Sequence, residues 1–301
     1  MISDWLISIE GTPQGATAAL YLALMAAVLH AIFGALQKGK HDPWLSRWSI
    51  DLWLVILSFP MIFLVPWPEP HMWPIFVGMV VIHFGYKVLQ AQAYSKGAFT
   101  VVYPVVRGMG PLFTVIGAYL IFGETFTALQ WVGLAVLLTG IFGLAVYNLI
   151  FLQTDRQTLP AALALAVATG FFVAIYTTYD AYGIRATADP LTFLAWFFFL
   201  AALDFPILLV ASPMRVRFTG VALRPLLTRG LIGAILAYGS FGSVMLATRL
   251  DQVGEAAVLR ETSTVFAALI GWVFLKETVG PRRVVLMALI ALGAVIVEAG
   301  G

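Results

Sequence analysis

The stretch VVRGMGPLFTVIGAYLIFGETFTALQWVGL (residues 105–134) lies over VLRETSTVFAALIGWVFLKETVGPRRVVLM (residues 258–287) when the chain is shifted by 153 positions. The overlay puts Arg107 on Arg260, Phe113 on Phe266, Glu124 on Glu277, Thr125 on Thr278 and, further along, Gly140 on Gly293. Internal similarity is sought before any motif because it fixes the architecture. In the first copy the arginine stands inside an apolar run from Phe99 to Phe122, bracketed by Pro104 and Pro111 with Gly108 and Gly110 beside it. A charge in such a run needs a reason, and it recurs at the matching position of the second copy.

Composition names the solvent. Of 301 residues, 61% are hydrophobic and only 11% are charged. Soluble domains are about a quarter charged, so this chain has too little polar surface to dissolve in water. It contains no cysteine, which excludes disulfides and thiolate metal sites. Asp4 and Glu10 precede the first apolar run where a cleaved signal would carry basic residues, so that run is expected to be retained.

A bilayer core of about 30 Å takes roughly 20 apolar residues per helix. Ten such runs are legible, at about 17–37, 48–66, 73–95, 98–122, 128–150, 160–181, 190–212, 227–248, 255–275 and 281–299. Short connections such as KGKHDPW, PWPEPHMWP, GET and ATADP separate them and leave no room for a soluble domain. The second copy is offset from the first by five spans. Five is odd, so the copies cross in opposite directions, the inverted-repeat plan of many secondary transporters. The expected fold class is an all-α polytopic membrane protein, ten transmembrane helices as two inverted five-helix repeats, residues 1–152 and 153–301. Of the 17 Lys and Arg, three (Lys87, Arg107, Arg260) lie within spans. Twelve of the rest fall on one side, and only Arg185 and Arg249 on the other. The positive-inside rule then makes the odd-numbered loops cytoplasmic and leaves both termini outside the cytoplasm.

Ten helices as five plus five, a fourth span ending FGET (122–125) and a ninth ending LKET (275–278) before Pro281 resemble the drug/metabolite transporter superfamily, and within it the EamA-type permeases of bacteria. The resemblance implies an inner-membrane carrier with a central cavity lined by the first, third, fourth, sixth, eighth and ninth spans. It leaves the substrate open, because the superfamily moves amino acids, other metabolites, drugs and sugar phosphates. Many such permeases carry basic residues at the N-terminus and in the second loop, whereas here PWPEPHMW has neither Lys nor Arg.

Polar groups within a bilayer must find partners, so their positions are informative. The third span carries His83, Lys87, Gln90 and Tyr94 on one face, with Tyr86 beside it. The fourth carries Thr100, Tyr103, Arg107 and Thr114. Prolines 104 and 111 are expected to bend that span and free carbonyls around Arg107. Arg260 and Glu261 are neighbours, about 100° apart on a helix, so at least one of them should reach across to another helix. His30, Tyr176, Asp180, Asp204 and Tyr238 are further polar residues of the spans, with Gln37, Thr177, Tyr179, Ser240, Ser243 and Glu255. Glycines 133, 140 and 143, and Gly293 with Ala288 and Ala291, read as helix-packing surfaces.

Three deep cations against two or three acids leave a nearly neutral interior, without the acid excess that a strongly cationic drug would need. Arginine's planar fork suits carboxylate or phosphate. The expected function is secondary transport, by alternating access, of a small anionic or zwitterionic metabolite such as an amino acid or organic acid. Lys87, Arg107, Arg260, Tyr103, Gln90, Tyr176, Tyr238, His30 and His83 are the candidate substrate-binding residues. Asp204, Glu261 and Asp180 are candidates for proton coupling or ion pairing. A multidrug or cation efflux carrier of the same fold, and a channel or scramblase, are the alternatives; the alternative for Arg107 and Arg260 is a salt bridge from each to acids of other helices. No catalytic set, metal site, cofactor or nucleic-acid partner is expected. The partners are a small solute and the lipid bilayer, with the chain a monomer or weak homodimer in the bacterial inner membrane.

Overall fold

The computed structural model describes residues 2–37, 42–96, 99–151, 158–274 and 280–301, and every regular element among them is a helix. In chain order these are α1 (Ile2–Ile9), α2 (Pro13–Gln37), α3 (Pro43–Met61), α4 (Met72–Lys96), α5 (Phe99–Phe122), α6 (Ala128–Phe151), α7 (Leu159–Ala186), α8 (Pro190–Ala201), α9 (Asp204–Ala211), α10 (Leu223–Leu250), α11 (Val253–Arg260), α12 (Ser263–Phe274) and α13 (Pro281–Ala299), with a short 3-10 turn at Pro213–Phe218. Seven helical segments are long and apolar enough to cross a membrane, one of them the α8–α9 pair taken together. The other expected spans fall on α3, on the α11–α12 pair and on α13. Lys38, Lys40, Arg156, Lys276, Glu277 and Thr278, all used in reading the sequence, lie outside the described residues.

Helix starts follow local chemistry. The Asp42 carboxylate accepts from the N–H groups of Trp44 (2.8 Å) and Leu45 (3.3 Å), and Pro43 takes the first helical position. Asp189 does the same for Leu191 (2.7 Å) and Thr192 (3.1 Å), ahead of Pro190. These caps satisfy N–H groups that have no partner within the helix. They also start α3 five residues before the apolar run suggested, which draws Arg47 into the helix. The first segment, α1, was not foreseen as a helix. It buries Leu6 and Ile9 against Ala19 and Leu250 and leaves Ile2, Trp5 and Ile7 exposed.

Two expected spans are interrupted, and α5 is not. It runs unbroken from Phe99 to Phe122 through both prolines, and Pro111 has no N–H to offer the Arg107 carbonyl. The interruption falls instead in the matching copy, between α11 and α12, where there is no proline. There Glu261 and Thr262 bond back three residues, to the carbonyls of Val258 (3.0 Å) and Leu259 (3.1 Å), and the Thr262 hydroxyl competes for the Leu259 oxygen (2.7 Å). Short hydroxyl side chains that bond to the backbone compete with a helix in this way. Between α8 and α9, Pro206 has no N–H to offer the Ala202 carbonyl.

Packing repeats between the halves. Helix α2 packs on α10 as α7 packs on α4, and α5 packs on α7 as the α11–α12 pair packs on α2. Helices α6 and α13, last in each copy, pack on each other through the glycines read as a packing surface. A Cβ on Gly293 would sit 2.5 Å from the Leu137 nitrogen and 2.6 Å from the Gly133 oxygen. Ala288, by contrast, faces outward. The outer surface is apolar, with Tyr21, Leu64, Val77, Leu120, Ile150 and Val295 among many exposed side chains, as lipid requires. Gly293→Val should therefore cost about 1–3 kcal/mol and lower the thermal midpoint in detergent. Ala288→Val, on the outward face, should leave that midpoint in place.

Candidate functional site

The halves meet around a central cavity. Helices α2, α3, α4, α5, α7 and α10 contribute His30 and Gly34, Arg47, Tyr86 and Gln90, Tyr103 and Arg107, Tyr176, and Phe241 to its lining. A narrower cavity is lined by Tyr176, Thr177, Asp180, Phe241, Thr248 and Arg260, so Tyr176 and Phe241 border both. The walls are aromatic. The Tyr176 ring lies 4.8 Å from those of both Tyr86 and His83, and Phe241 lies 6.2 Å from Tyr176 and from His30.

Arg107 is 5% exposed and reaches the opposite half. Its Nε lies 2.8 Å from Glu261 Oε2, and its Nη2 donates to Ser263 Oγ (2.9 Å) and to the Arg260 carbonyl (3.4 Å). The two positions paired by the repeat thus touch, guanidinium of one to carbonyl of the other. Of the neighbours Arg260 and Glu261, the glutamate is the one seen reaching across.

Lys87, 1% exposed, is held between Asp51 Oδ2 (2.9 Å) and Asp204 Oδ1 (2.7 Å) and donates to the Ala201 carbonyl at the end of α8. Arg47 completes the group, with Nη2 3.0 Å from Asp51 Oδ1 one helical turn away. Two cations and two acids make a neutral cluster. His83 Nε2 lies 2.8 Å from Asp180 Oδ2. Gln90 donates to the Tyr86 hydroxyl (2.6 Å). Tyr103 lies under Arg107, its ring centre 6.0 Å from the guanidinium carbon. Tyr238 stacks on Phe198 at 4.1 Å and is not among the residues lining these cavities.

Arg260 differs from the other two deep cations. It is 3% exposed, its Nε has no hydrogen-bond partner, and no carboxylate among the described residues lies within ion-pair distance of it. Its charge is felt by Glu261 and Asp180, but a buried charge held in no direct pair is costly.

One end of the bundle is closed by arginines that cap each other's helices. Arg185, near the end of α7, donates to the carbonyls of Thr248 (2.7 Å) and Asp251 (2.7 Å) at the end of α10. Arg249, near the end of α10, donates to those of Ile184 (2.6 Å) and Thr187 (2.9 Å) at the end of α7. Each then meets a carboxylate from the first half. Arg185 lies 3.0 Å from Glu124, and Arg249 pairs with Glu10. Glu124, from the GET turn, also accepts from the N–H groups of Val253 (2.8 Å) and Gly254 (3.3 Å) at the start of α11. In the loop before α4, burial raises the Glu69 pKa, but the Ala188 N–H (2.9 Å) and its own backbone outweigh this and hold it below the ordinary carboxylate range. These are the two arginines that sequence counting set apart from the basic side.

Asp51, Arg47, Glu124 and Arg185 were missed as partners in the sequence. An Asp–Pro helix start at 42–43 was the available signal for the first two, because it places Arg47 and Asp51 four apart on one helix. The other two meet only in the fold. Among the described residues no group of three or more His, Asp or Glu is arranged to hold a metal ion.

A helical bundle with lipid-facing apolar sides and a polar central cavity between repeated halves defines a polytopic membrane protein of transporter type. The sequence profile of the EamA-like transporter family matches twice, over residues 15–146 and 160–298, and the chain belongs to that family. A curated relative, Uncharacterized protein y4nH of Sinorhizobium fredii (strain NBRC 101917 / NGR234), is 38% identical over 72 residues, which are 24% of this chain and 62% of that one. The match thus spans less than two thirds of that relative's length. A solved structure described as "Crystal structure of protein" superposes with a TM-score of 0.70 over 94% of this chain and 96% of that one, at 16% identity, a likeness of fold.

Removing one partner of the Arg107–Glu261 pair leaves a buried charge behind. Glu261→Ala should cost about 3–5 kcal/mol, and Arg107→Leu with Glu261→Leu distinctly less, read as thermal midpoints in detergent. Because the chain has no cysteine, Val244→Cys in the narrow cavity is a unique label site. Glu124→Ala should make that thiol react several-fold faster with a membrane-impermeant maleimide by loosening the arginine-capped end.

Proposed function

We propose that the protein is a secondary carrier that moves a small anionic or zwitterionic metabolite across the bacterial inner membrane by alternating access. In this reading α3, the α11–α12 pair and α13 join the seven apolar segments to make ten crossings, arranged as inverted repeats over 1–152 and 153–301. The termini lie outside the cytoplasm, following the bias of Lys and Arg. The arginine-capped end is then the outer closure, and the central cavity lies between it and the cation-rich side.

One observation carries the reading. Lys87 and Arg107 are matched by Asp51, Asp204 and Glu261, while Arg260 stands buried at the meeting of the halves with no carboxylate of the described residues within ion-pair distance. A guanidinium in a place of low dielectric attracts a carboxylate or phosphate strongly. Arg260 is the substrate anchor, with Tyr176 and Thr177 beside it. Arg107, Tyr103, Gln90 and His30 line the neighbouring cavity that the substrate crosses. Lys87 holds the α8–α9 break through its acids and acts on the substrate only by the field of its cluster. Titratable pairs inside a membrane suit proton relays, and His83–Asp180, Asp204 and Glu261 are the groups placed for coupling.

Purified protein in liposomes should show saturable uptake of such a solute, accelerated by the same solute on the far side. Arg260→Ala should reduce uptake by about tenfold or more, the loss of one charged hydrogen bond of ~1.5–3 kcal/mol. Uptake unchanged in that variant removes Arg260 from the role. Linear, non-saturating flux is the signature of a channel instead.

A further inference from the structure

We infer that α1 is an interfacial helix whose uncovered apolar side is seated in lipid, and that this seating holds Glu10 on Arg249 at the closed end of the bundle. The partner is the bilayer itself, at the level where acyl chains meet headgroups.

Helix α1 carries Ile2, Trp5, Leu6 and Ile9, whose spacing places all four on one stripe, with Asp4 and Ser8 turned away from it. The protein covers only part of that stripe. Leu6 and Ile9 are each 3% exposed, whereas Ile2 is 67% and Trp5 54% exposed. Apolar side chains left uncovered in this way are drawn toward a medium other than water.

The place of α1 in the fold supplies that medium. Gly11 has φ +68°, a conformation that L side chains rarely adopt, and the turn it makes takes α1 off the axis of α2. The end of α1 crosses the first turn of α2 so closely that a Cβ on Gly15 would overlap the Ile9 carbonyl oxygen. Leu6 and Ile9 join an apolar cluster with Ala19 and Leu250. Ala19 stands six residues inside the membrane-crossing segment that begins at Pro13, a depth of about 9 Å along the helix. A helix that reaches this cluster lies at the edge of the acyl chains. Two further exposed tryptophans stand at the same end. Trp67 lies in the turn whose Pro66 carbonyl accepts from Thr192 and whose Glu69 accepts from the Ala188 N–H, and Trp131 lies in the first turn of α6, just after the GET turn. Exposed tryptophans gather where a bilayer meets water. A stable protein partner takes about 800 Å² from each side, far more than two exposed side chains offer.

Glu10 follows directly on α1. Its carboxylate pairs with Arg249, which holds the carbonyls of Ile184 and Thr187 at the end of α7. Where Glu10 stands depends on where α1 lies, so the depth of α1 in lipid sets one of the contacts that close this end.

The chain has no cysteine, so single cysteines report one place each. Ile2→Cys and Trp5→Cys on the uncovered side, and Asp4→Cys on the polar side, are labelled with an environment-sensitive fluorophore in the full chain in lipid nanodiscs. Lipids with a nitroxide near the headgroup should quench the labels at positions 2 and 5 at least about twofold more than the label at position 4. Equal quenching at the three positions, or none, overturns the seating. Labels at 2 and 5 shielded from lipid, with emission that changes with the number of chains per disc, place a second copy there and overturn it too. The coupling is read with Val244→Cys and a membrane-impermeant maleimide in the same discs. Trp5→Ser and Glu10→Gln should each make that thiol react several-fold faster, and the two together should add little to Glu10→Gln alone, because both act through one ion pair. Quenching as expected with the thiol rate unchanged in Trp5→Ser overturns the coupling and leaves α1 a passive anchor.

Discussion

A guanidinium keeps its proton at any physiological pH, so Arg107, once placed within the bilayer, must be met by an acid and by hydrogen-bond acceptors. The second half supplies both. Glu261 turns from its own helix toward Arg107, Ser263 offers a hydroxyl, and the Arg260 carbonyl is drawn off the helical ladder. The break between α11 and α12 is therefore the local cost of neutralising a charge that stands in the other half. Lys87 does the same at a second place, pulling on the Ala201 carbonyl where α8 ends while Asp204 opens α9. Both interruptions in the second half are occupied by cations from the first.

These contacts fix the register of the halves alongside the apolar core that joins them, in which Phe33, Ile50, Leu54 and Phe76 pack with Phe193, Phe197, Ala234 and Met245. Two further sets of helix contacts, α6 with α13 and the reciprocal caps of α7 and α10, lie away from the central cavity. In the reciprocal caps, each arginine satisfies the terminal carbonyls of the helix that carries the other. Neither helix end can tilt alone, because moving one uncaps its neighbour. Glu124 extends that coupling to the start of α11, whose last residue is Arg260, so the closed end and the buried arginine belong to one mechanical unit.

Much of this was legible in the sequence. Apolar runs located the helical segments, and the repeat named Arg107 and Arg260 as counterparts before the fold brought them into contact. The adjacency of Arg260 and Glu261 was enough to say that one of them must look to another helix. Asp51 lay within the expected 48–66 span and was passed over, because a strict apolar window starts that helix after Arg47 and counts its partner as a loop cation. The helix breaks were sought at the prolines, which is where covalent chemistry forces them. The α8–α9 break does adjoin a proline, Pro206, while the α11–α12 break arises from the Thr262 hydroxyl and from the hydrogen bond of Arg107 to the Arg260 carbonyl. Tyr238 shows the limit of composition, since an aromatic in a polar stretch can be spent on stacking with Phe198.

The contrast between α5 and its counterpart has a mechanical consequence. A bend made by proline is permanent, because no rearrangement can give the ring an N–H. An interruption made by competing hydrogen bonds is reversible, because the carbonyls of Val258, Leu259 and Arg260 regain helical partners once Arg107 and the Thr262 hydroxyl let go. The duplicated copies thus share a shape and divide the labour. The first is a fixed strut with its prolines built in, and the second is a spring whose set point is written by the first copy's arginine.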